Sequence, residues 1–433
     1  MKKSYFFSAL AAGMVMFSAC SSDNDLANGG NGSNDAVQQI VLQVANAGDG
    51  MQTRAGRPLL SSEAKQTIEN VKVIICDESN KIVKVKTYND WNNADSKVYG
   101  KGGGAHGRET TLTYTGNEKL GNGTYTIYAF GYSNNSDYKD LTTQISDLTE
   151  GKPFSGNTIL NLKDGVKGEE IFAGSTAQFE INENQKGFTQ TVVLNRQVAG
   201  TFGYFDKIPY VAGAAKLQLV ASNGNTGLVL GGFNSFDLTG NGTGNGTNVK
   251  YVVNGANPAA DKVVYTIDLT KWFKAIKDGN NDGLIDADAD NWNKPTTITG
   301  ASFKTGSVFG GSFLIPFQKN DNQTFVLQLV NNNGDVLKSW AVKLPSDDGQ
   351  LSEYTLSSWN STTSVFDNTP ATKDAADKYS VVRNHLYGIG ERSLDEPTTP
   401  GTDPDKPEPL NKKQELTLRV NDNWEVIHKM ELE

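Results

Sequence analysis

Short runs in which apolar and polar residues alternate, each closed by Gly, Asn, Asp or Ser, recur along almost the whole chain. Tyr125-Thr126-Ile127-Tyr128-Ala129-Phe130, Lys216-Leu217-Gln218-Leu219-Val220 and Phe325-Val326-Leu327-Gln328-Leu329-Val330 are typical. A period of two sends successive side chains to opposite faces of a strand, and the 45 glycines with their Asn and Asp neighbours supply the turns. The expectation is an all-β protein of antiparallel sheets stacked as sandwiches. Helical spacing is confined to one stretch, where Thr270 caps a short helix with Trp272, Phe273 and Ile276 on one face.

The order of elements in the first half recurs in the second. Gln39 to Val44 is followed by Val71 to Ile75 and a Ser79-Asn80 turn; Thr191 to Leu194 is followed by Ala215 to Ala221 and a Ser222-Asn223-Gly224 turn. Gly123 to Tyr128 and Asn322 to Leu327 match in style. The pattern predicts two tandem β-sandwiches with a boundary near Lys186-Gly187. At 433 residues with 37% hydrophobic content the chain can fill such cores.

Both ends are unlike the middle. Lys2 and Lys3, an apolar run from Tyr5 to Phe17 and Ser18-Ala19-Cys20 form a secretory signal that resembles a bacterial lipobox, with Phe17 where Leu is usual. The run is shorter than the ~20 residues of a spanning helix. Cys20 is then the lipidated N-terminus, and the Ser-, Asn- and Asp-rich tract to Asp35 is a tether. Its acidic residues resemble the signal that sends Bacteroidetes lipoproteins to the outer face of the outer membrane. Far along the chain, Asp395 to Pro409 is rich in proline and reads as an extended linker that holds neither strand nor helix. Beyond it Leu416, Leu418 and Val420, then Trp424, Val426, Met430 and Leu432, alternate with polar residues. A strand with one apolar face, placed outside its own domain, expects a groove to fill.

Charge and motifs exclude several functions. Net charge is −9 and basic runs are missing from the sequence, which removes a nucleic-acid partner. Of the two cysteines, Cys76 closes an apolar strand and reads as a small core residue. His106, His385 and His428 are far apart, and neither a Gly-x-Ser-x-Gly elbow, a Cys-His pair nor a zinc motif occurs; the glycines of Gly240 to Gly246 lack the lysine of a phosphate loop. No catalytic residue is assigned, and no cofactor is required. The one metal-like motif is Asp278, Asn280, Asp282, Leu284 and Asp286, spaced as in calcium loops with Gly283 at the turn. Ala289 stands where an EF-hand has its bidentate acid, so Asp288 or Asp290 would substitute in a looser geometry. A structural Ca²⁺ and an ion-free loop of Asx turns are both open.

Glu170-Ile171-Phe172-Ala173-Gly174, Leu194-Asn195-Arg196-Gln197-Val198-Ala199, Arg383-Asn384-His385-Leu386-Tyr387 and Val420-Asn421-Asp422-Asn423-Trp424-Glu425-Val426, in this order behind a lipoprotein signal, resemble the fimbrillins of Bacteroidales. The resemblance covers nearly the whole chain and implies two transthyretin-like sandwiches and a maturation cut after an arginine behind the first strand. Met51-Gln52-Thr53-Arg54-Ala55-Gly56 supplies that loop, with the cut between Arg54 and Ala55; at Arg57 the following Pro58 obstructs a protease.

The implied organisation is a signal peptide over 1–19, tether and removable first strand over 20–54, sandwiches over 55–186 and 187–394, and linker with donor strand over 395–433. Ile40, Leu42 and Val44 form the apolar face of the removable strand, whose loss opens a costly groove. The C-terminal strand of another subunit would fill it by β-augmentation, and such a heterologous contact propagates as a filament. The expected partners are copies of this chain or related pilins, an Arg-specific protease, and the outer-membrane lipid anchor of the precursor. A stalk subunit at the cell surface is favoured. The alternative is a surface lipoprotein that binds glycans through Trp91, Trp272, Trp292, Trp340 or Trp359.

Overall fold

The computed structural model describes residues 36–45, 68–91, 97–99, 107–134, 136–164, 167–231, 250–296, 303–318, 324–343, 353–372, 380–390, 407–411, 415–417 and 419–420. Strands dominate them. The N-terminal half carries β1 (Gln38–Ala45), β2 (Asn70–Asp77), β3 (Ile82–Tyr88), β4 (Lys97–Tyr99), β5 (Gly107–Tyr114), β6 (Gly123–Tyr132), β7 (Ile159–Asn161), β8 (Lys167–Gly168), β9 (Phe172–Ser175), β10 (Phe179–Ile181) and β11 (Phe188–Arg196). The C-terminal half carries β12 (Ala199–Asp206), β13 (Lys216–Ser222), β14 (Asn225–Val229), β15 (Lys250–Val253), β16 (Gly255–Pro258), β17 (Lys262–Asp268), β18 (Val308–Leu314), β19 (Thr324–Val330), β20 (Val336–Lys343), β21 (Glu353–Asn360), β22 (Val365–Thr372), β23 (Leu386–Ile389), β24 (Glu408–Pro409), β25 (Glu415–Thr417) and β26 (Arg419–Val420).

The N-terminal strands run β3-β2-β6-β9-β11-β1-β5-β4, with β10 on β6. The path folds over itself at β11, whose Asn195 and Arg196 pair with β9 while Phe188 to Leu194 pair with β1. Val71, Val73 and Ile75 of β2 and Ile127 and Ala129 of β6 therefore face Ile40, Leu42, Leu112, Val192 and Leu194 across one dry core. The opposite face of β2 and β6 is covered as well. Ile74, Cys76 and Phe130 pack there under Leu141, Ile145, Phe154 and Leu228, so β2 is buried at nearly every position rather than at alternate ones.

In the C-terminal half the sheet β26-β23-β12-β18-β8, with β24 on β12, lies over the sheet β17-β13-β19-β20-β25. Phe205, Leu217, Phe325, Leu327 and Trp340 belong to the core between them. Two three-stranded sheets, β16-β14-β7 and β15-β21-β22, complete the described residues.

The repeat read from sequence is present in the pairing, with one strand reassigned. In one half β1 lies parallel to β11 and antiparallel to β5; in the other β12 lies parallel to β23 and antiparallel to β18. Likewise β2 pairs with β6 and β13 with β19. The counterpart of β1 is thus β12, whereas β11, expected to open the second sandwich after Lys186, pairs within the first sheet. Alternation marks both strands equally, and only long-range pairing tells a last strand from a first.

The expected turns are present: Asn80 and Asn223 take left-handed backbone angles, φ 58° and 50°, between β2 and β3 and between β13 and β14, a region Asn tolerates better than most residues. The expected helix is only a 3₁₀ turn, Leu269–Lys271, capped by Asp268 and not by Thr270. Asp268 Oδ1 accepts from the Thr270 amide at 3.1 Å. Phe273 then bridges to Trp292 as an isolated ladder rung, which ends helical winding while leaving Trp272 and Phe273 buried. A five-residue π-turn at Thr142–Ser146 went unpredicted. The buried Lys72 ammonium donates to its last carbonyl, Ser146 O, at 2.6 Å, and burial pulls that lysine below the usual range.

Candidate functional site

The first strand occupies an interior position. β1 keeps parallel register with β11 from Gln38↔Phe188 to Val44↔Leu194 and antiparallel register with β5 from Gln38↔Tyr114 to Ala45↔Gly107. Ile40 and Leu42 are 0% exposed, and burying each such side chain stabilises by about 1.5–3 kcal/mol. Gln38 lies on the same inward face and is also buried; its amide bonds main-chain groups of Leu120 and Lys186. On the outer face Gln39 Nε2 donates to Thr113 Oγ1 at 3.2 Å and Gln43 Nε2 to Glu109 Oε2 at 3.1 Å. Taking an interior strand away leaves main-chain groups of both neighbours without partners and their apolar side chains facing water. Cys20, Arg54, Ala55 and Arg57 lie outside the described residues.

The C-terminal segment is less detached than its composition implies. Glu408 and Pro409 extend β12 in parallel register beyond β23, opposite Phe205 and Asp206. Leu410 is 1% exposed in the core, and its amide donates to Asp206 O at 3.1 Å. Proline is tolerated at such a place when a neighbouring residue supplies the N–H, so the expectation that this linker cannot pair is corrected. Further on, Glu415, Leu416 and Thr417 pair with Ala341, Val342 and Lys343 of β20, and Arg419 and Val420 with Gly388 and Tyr387 of β23. Leu418, Trp424, Val426, Met430, Leu432 and His428 lie outside the described residues.

Three of the motifs that carried the resemblance meet in space, although the sequence gives no contact among them. Arg196, at the end of β11, pairs with Glu170 at 2.5 Å, donates to Asn384 Oδ1 at 3.1 Å and lies over the Phe172 ring at 4.9 Å. Arg383, 0% exposed, donates to Gln197 Oε1 at 2.7 Å. The main chain closes the junction: Asn384 N donates to Val198 O, Gly200 N to His385 O, Gln197 N to Ile171 O and Arg383 N to Val252 O. Asn254, unnoticed in the sequence, donates to both Gln197 O and Val229 O at 3.0 Å. Gly174 is required because a Cβ there would sit 2.0 Å from Val193 O. His385 is buried just before β23, its ring against Tyr251; His106 lies outside the described residues.

The acidic loop is organised around its own main chain. Asp278 accepts from the Asp282 and Gly283 amides, Asn280 Oδ1 from Asp282 N, Asp282 Oδ1 from Leu284 N, and Asp286 from Gly279 N. Asp288 belongs to a second turn, where it accepts from Asp290 N and Asn291 N. Among the described residues no three His, Cys, Asp or Glu side chains gather closely enough to hold a metal ion. The side chains of the motif thus bond the loop's own main chain as Asx turns. Of the tryptophans considered for sugar binding, Trp91, Trp272 and Trp340 are core residues, and Trp292 donates to Ser307 O. Trp359 is half-buried against Phe366. Burial holds the Cys76 thiol up to about 12, which keeps it neutral.

No family model matches the chain, and neither does any curated protein. Solved structures similar to it include a fimbrial assembly protein from Parabacteroides distasonis, 14% identical, TM-score 0.33, covering 83% of this chain and 92% of that one. The fimbrial anchor protein Mfa2 from Porphyromonas gingivalis is 9% identical, TM-score 0.36, with 80% and 100% covered. The tip fimbrial protein Mfa3 from the same organism is 11% identical, TM-score 0.35, with 83% and 96% covered. Likenesses this distant carry no functional assignment.

Proposed function

We propose that the chain is a structural, non-catalytic subunit of a bacterial cell-surface fimbria, exported as a lipoprotein through Cys20, cut after Arg54 and polymerised by strand exchange. The observation that carries this reading is the place of β1. It is the first described strand, yet it lies inside its sheet between β5 and β11, and Arg54 stands between Ala45 and the next described strand, β2. A single cut would free an eight-residue strand and leave β5 and β11 each without the partner that lies between them. The precursor is then a folded, self-completed form, and the cut subunit an adhesive one.

The C-terminal segment supports the second half of the proposal. Among the described residues its pairing with β20 spans three residues and with β23 two. Presented to another subunit, it would add a strand with continuous hydrogen bonding on both sides. Because donor and acceptor are different surfaces of one chain, the contact repeats without closing and builds a filament. A donor at the C-terminus favours a stalk position, and the lipid serves delivery to the outer membrane. The expected partners remain other copies or related pilins and an Arg-specific protease. The test is surface polymer in cells expressing Arg54→Ala, or a chain truncated after Asn411. Both variants should abolish SDS-resistant ladders; undiminished ladders in either would overturn the proposal.

A further inference from the structure

Within the slot, Gln38 sets a condition that apolar side chains do not. Its side chain is 2% exposed. Oε1 accepts from the Leu120 amide at 2.7 Å, and Nε2 donates to Leu120 O at 3.0 Å and Lys186 O at 2.8 Å. An apolar residue at this position would leave the buried Leu120 N–H and C=O unmet. The consequence concerns register. A strand slipped by one residue turns its apolar face outward, but one slipped by two keeps that face inward, so alternation alone does not choose between them. The amide site does, because only one register brings a side chain able to donate and accept there.

The chain holds a second segment with the same order of residues. Gln38-Gln39-Ile40-Val41-Leu42-Gln43-Val44 matches Gln414-Glu415-Leu416-Thr417-Leu418-Arg419-Val420 position by position. On the inward face glutamine corresponds to glutamine, then Ile40 to Leu416, Leu42 to Leu418 and Val44 to Val420. On the outward face the replacements change charge at meaningful places. Gln43 donates a neutral hydrogen bond to Glu109; Arg419 there would donate a charge-assisted one, roughly twice as strong. Glu415 in the place of Gln39 would accept from the Thr113 hydroxyl. The second segment is thus at least as well suited to the slot as the strand that fills it.

We propose that residues 414–420 of a second copy of this chain enter the slot of β1 in its polarity and register, with Gln414 in the amide site of Gln38 and Arg419 facing Glu109. This rests on the strand-exchange reading above and adds what selects the strand and its register. A segment lacking glutamine two residues before its apolar triplet is disfavoured, and Glu109 discriminates by charge.

Register can be read by cross-linking, because Gln39 pairs with Thr113 on the exposed side of β5. In a Cys20→Ala, Cys76→Ala background, protein carrying Thr113→Cys is polymerised with protein carrying Glu415→Cys or Thr417→Cys. The proposal expects an intersubunit disulfide with Glu415→Cys and little with Thr417→Cys. Gln414→Leu should slow polymerisation at least about tenfold and spread cross-links to the slipped position. Glu109→Arg should weaken assembly and Arg419→Glu should restore it. A dominant Thr417→Cys cross-link, or Gln414→Leu polymerising like the parent, would overturn the register while leaving strand exchange standing. Polymer formed by a chain lacking residues 412–433 would instead overturn strand exchange itself.

Discussion

Replacing Glu170 with Gln should destabilise the protein far more than loss of an ordinary ion pair. The side chains of Arg196 and Glu170 are only 7% and 3% exposed, and a guanidinium nitrogen lies 2.5 Å from the carboxylate. Gln keeps the shape and one acceptor but removes the charge, leaving a guanidinium buried among Phe172, Asn384 and main chain. Breaking a buried pair in this way costs about 3–5 kcal/mol, whereas replacing both partners with apolar residues of similar volume is close to neutral. The double variant Arg196→Met, Glu170→Met should accordingly recover most of the loss, and with the parent and the single variants Arg196→Met and Glu170→Met it closes a double-mutant cycle with a coupling energy of about 2 kcal/mol or more. Urea unfolding followed by tryptophan fluorescence measures these variants and the parent. A cost below about 1 kcal/mol for Glu170→Gln, the value of an exposed pair, would refute the claim that this junction is a dry electrostatic joint between the two halves.

Three further outcomes follow from local geometry. Gly174→Ala should split β9 from β11, since its Cβ would sit 2.0 Å from Val193 O; hydrogen exchange at Asn195 and Arg196 would report the loss, and parental protection there would contradict it. Burial raises the Glu169 carboxyl above the usual carboxylate range against bonds from Ser133 and the Asp137 amide. The native state then holds that proton more tightly than the unfolded chain, so this group's contribution to stability falls as pH rises from 4.5 through the folded value. Glu169→Gln should flatten that slope in urea titrations at acidic and neutral pH, and an unchanged slope would sink the assignment. Asp278→Ala removes the acceptor for the Asp282 and Gly283 amides and should cost about 1 kcal/mol equally in EDTA and in calcium. A loss seen only with calcium would mean that an ion, not the main chain, is the loop's partner.

Much of the fold was legible because a period of two is a local property. The strands around Ile74, Tyr128, Leu219 and Leu327 and the turns at Asn80 and Asn223 could be read directly, as could the inward set Ile40 and Leu42 of β1. What escaped depends on partners distant in sequence. Alternation in Thr191 to Leu194 says that a strand has an inner face, but only pairing with β1 and β9 assigns it to the first sheet. Proline at 407 and 409 argues locally against a strand, yet the edge of β12 accepts Glu408-Pro409 because Leu410 supplies both the amide and the buried side chain. Nothing in the sequence singles out Gln38; its role exists only where Leu120 and Lys186 converge on it. Arg196 and Arg383 stood in noticed motifs, but their meeting at one junction is a tertiary fact.

The central claim, that β1 is a replaceable part, is tested most directly by the identity of the subunits inside a polymer. Purified precursor would be converted with an Arg-specific protease, the SDS-resistant species isolated, and its subunits released and identified by intact mass and N-terminal sequence. Strand exchange predicts subunits that begin at Ala55, lack Gln38–Ala45 and retain the C-terminal segment through Glu433. Polymer whose subunits still carry Gln38–Ala45 would contradict it.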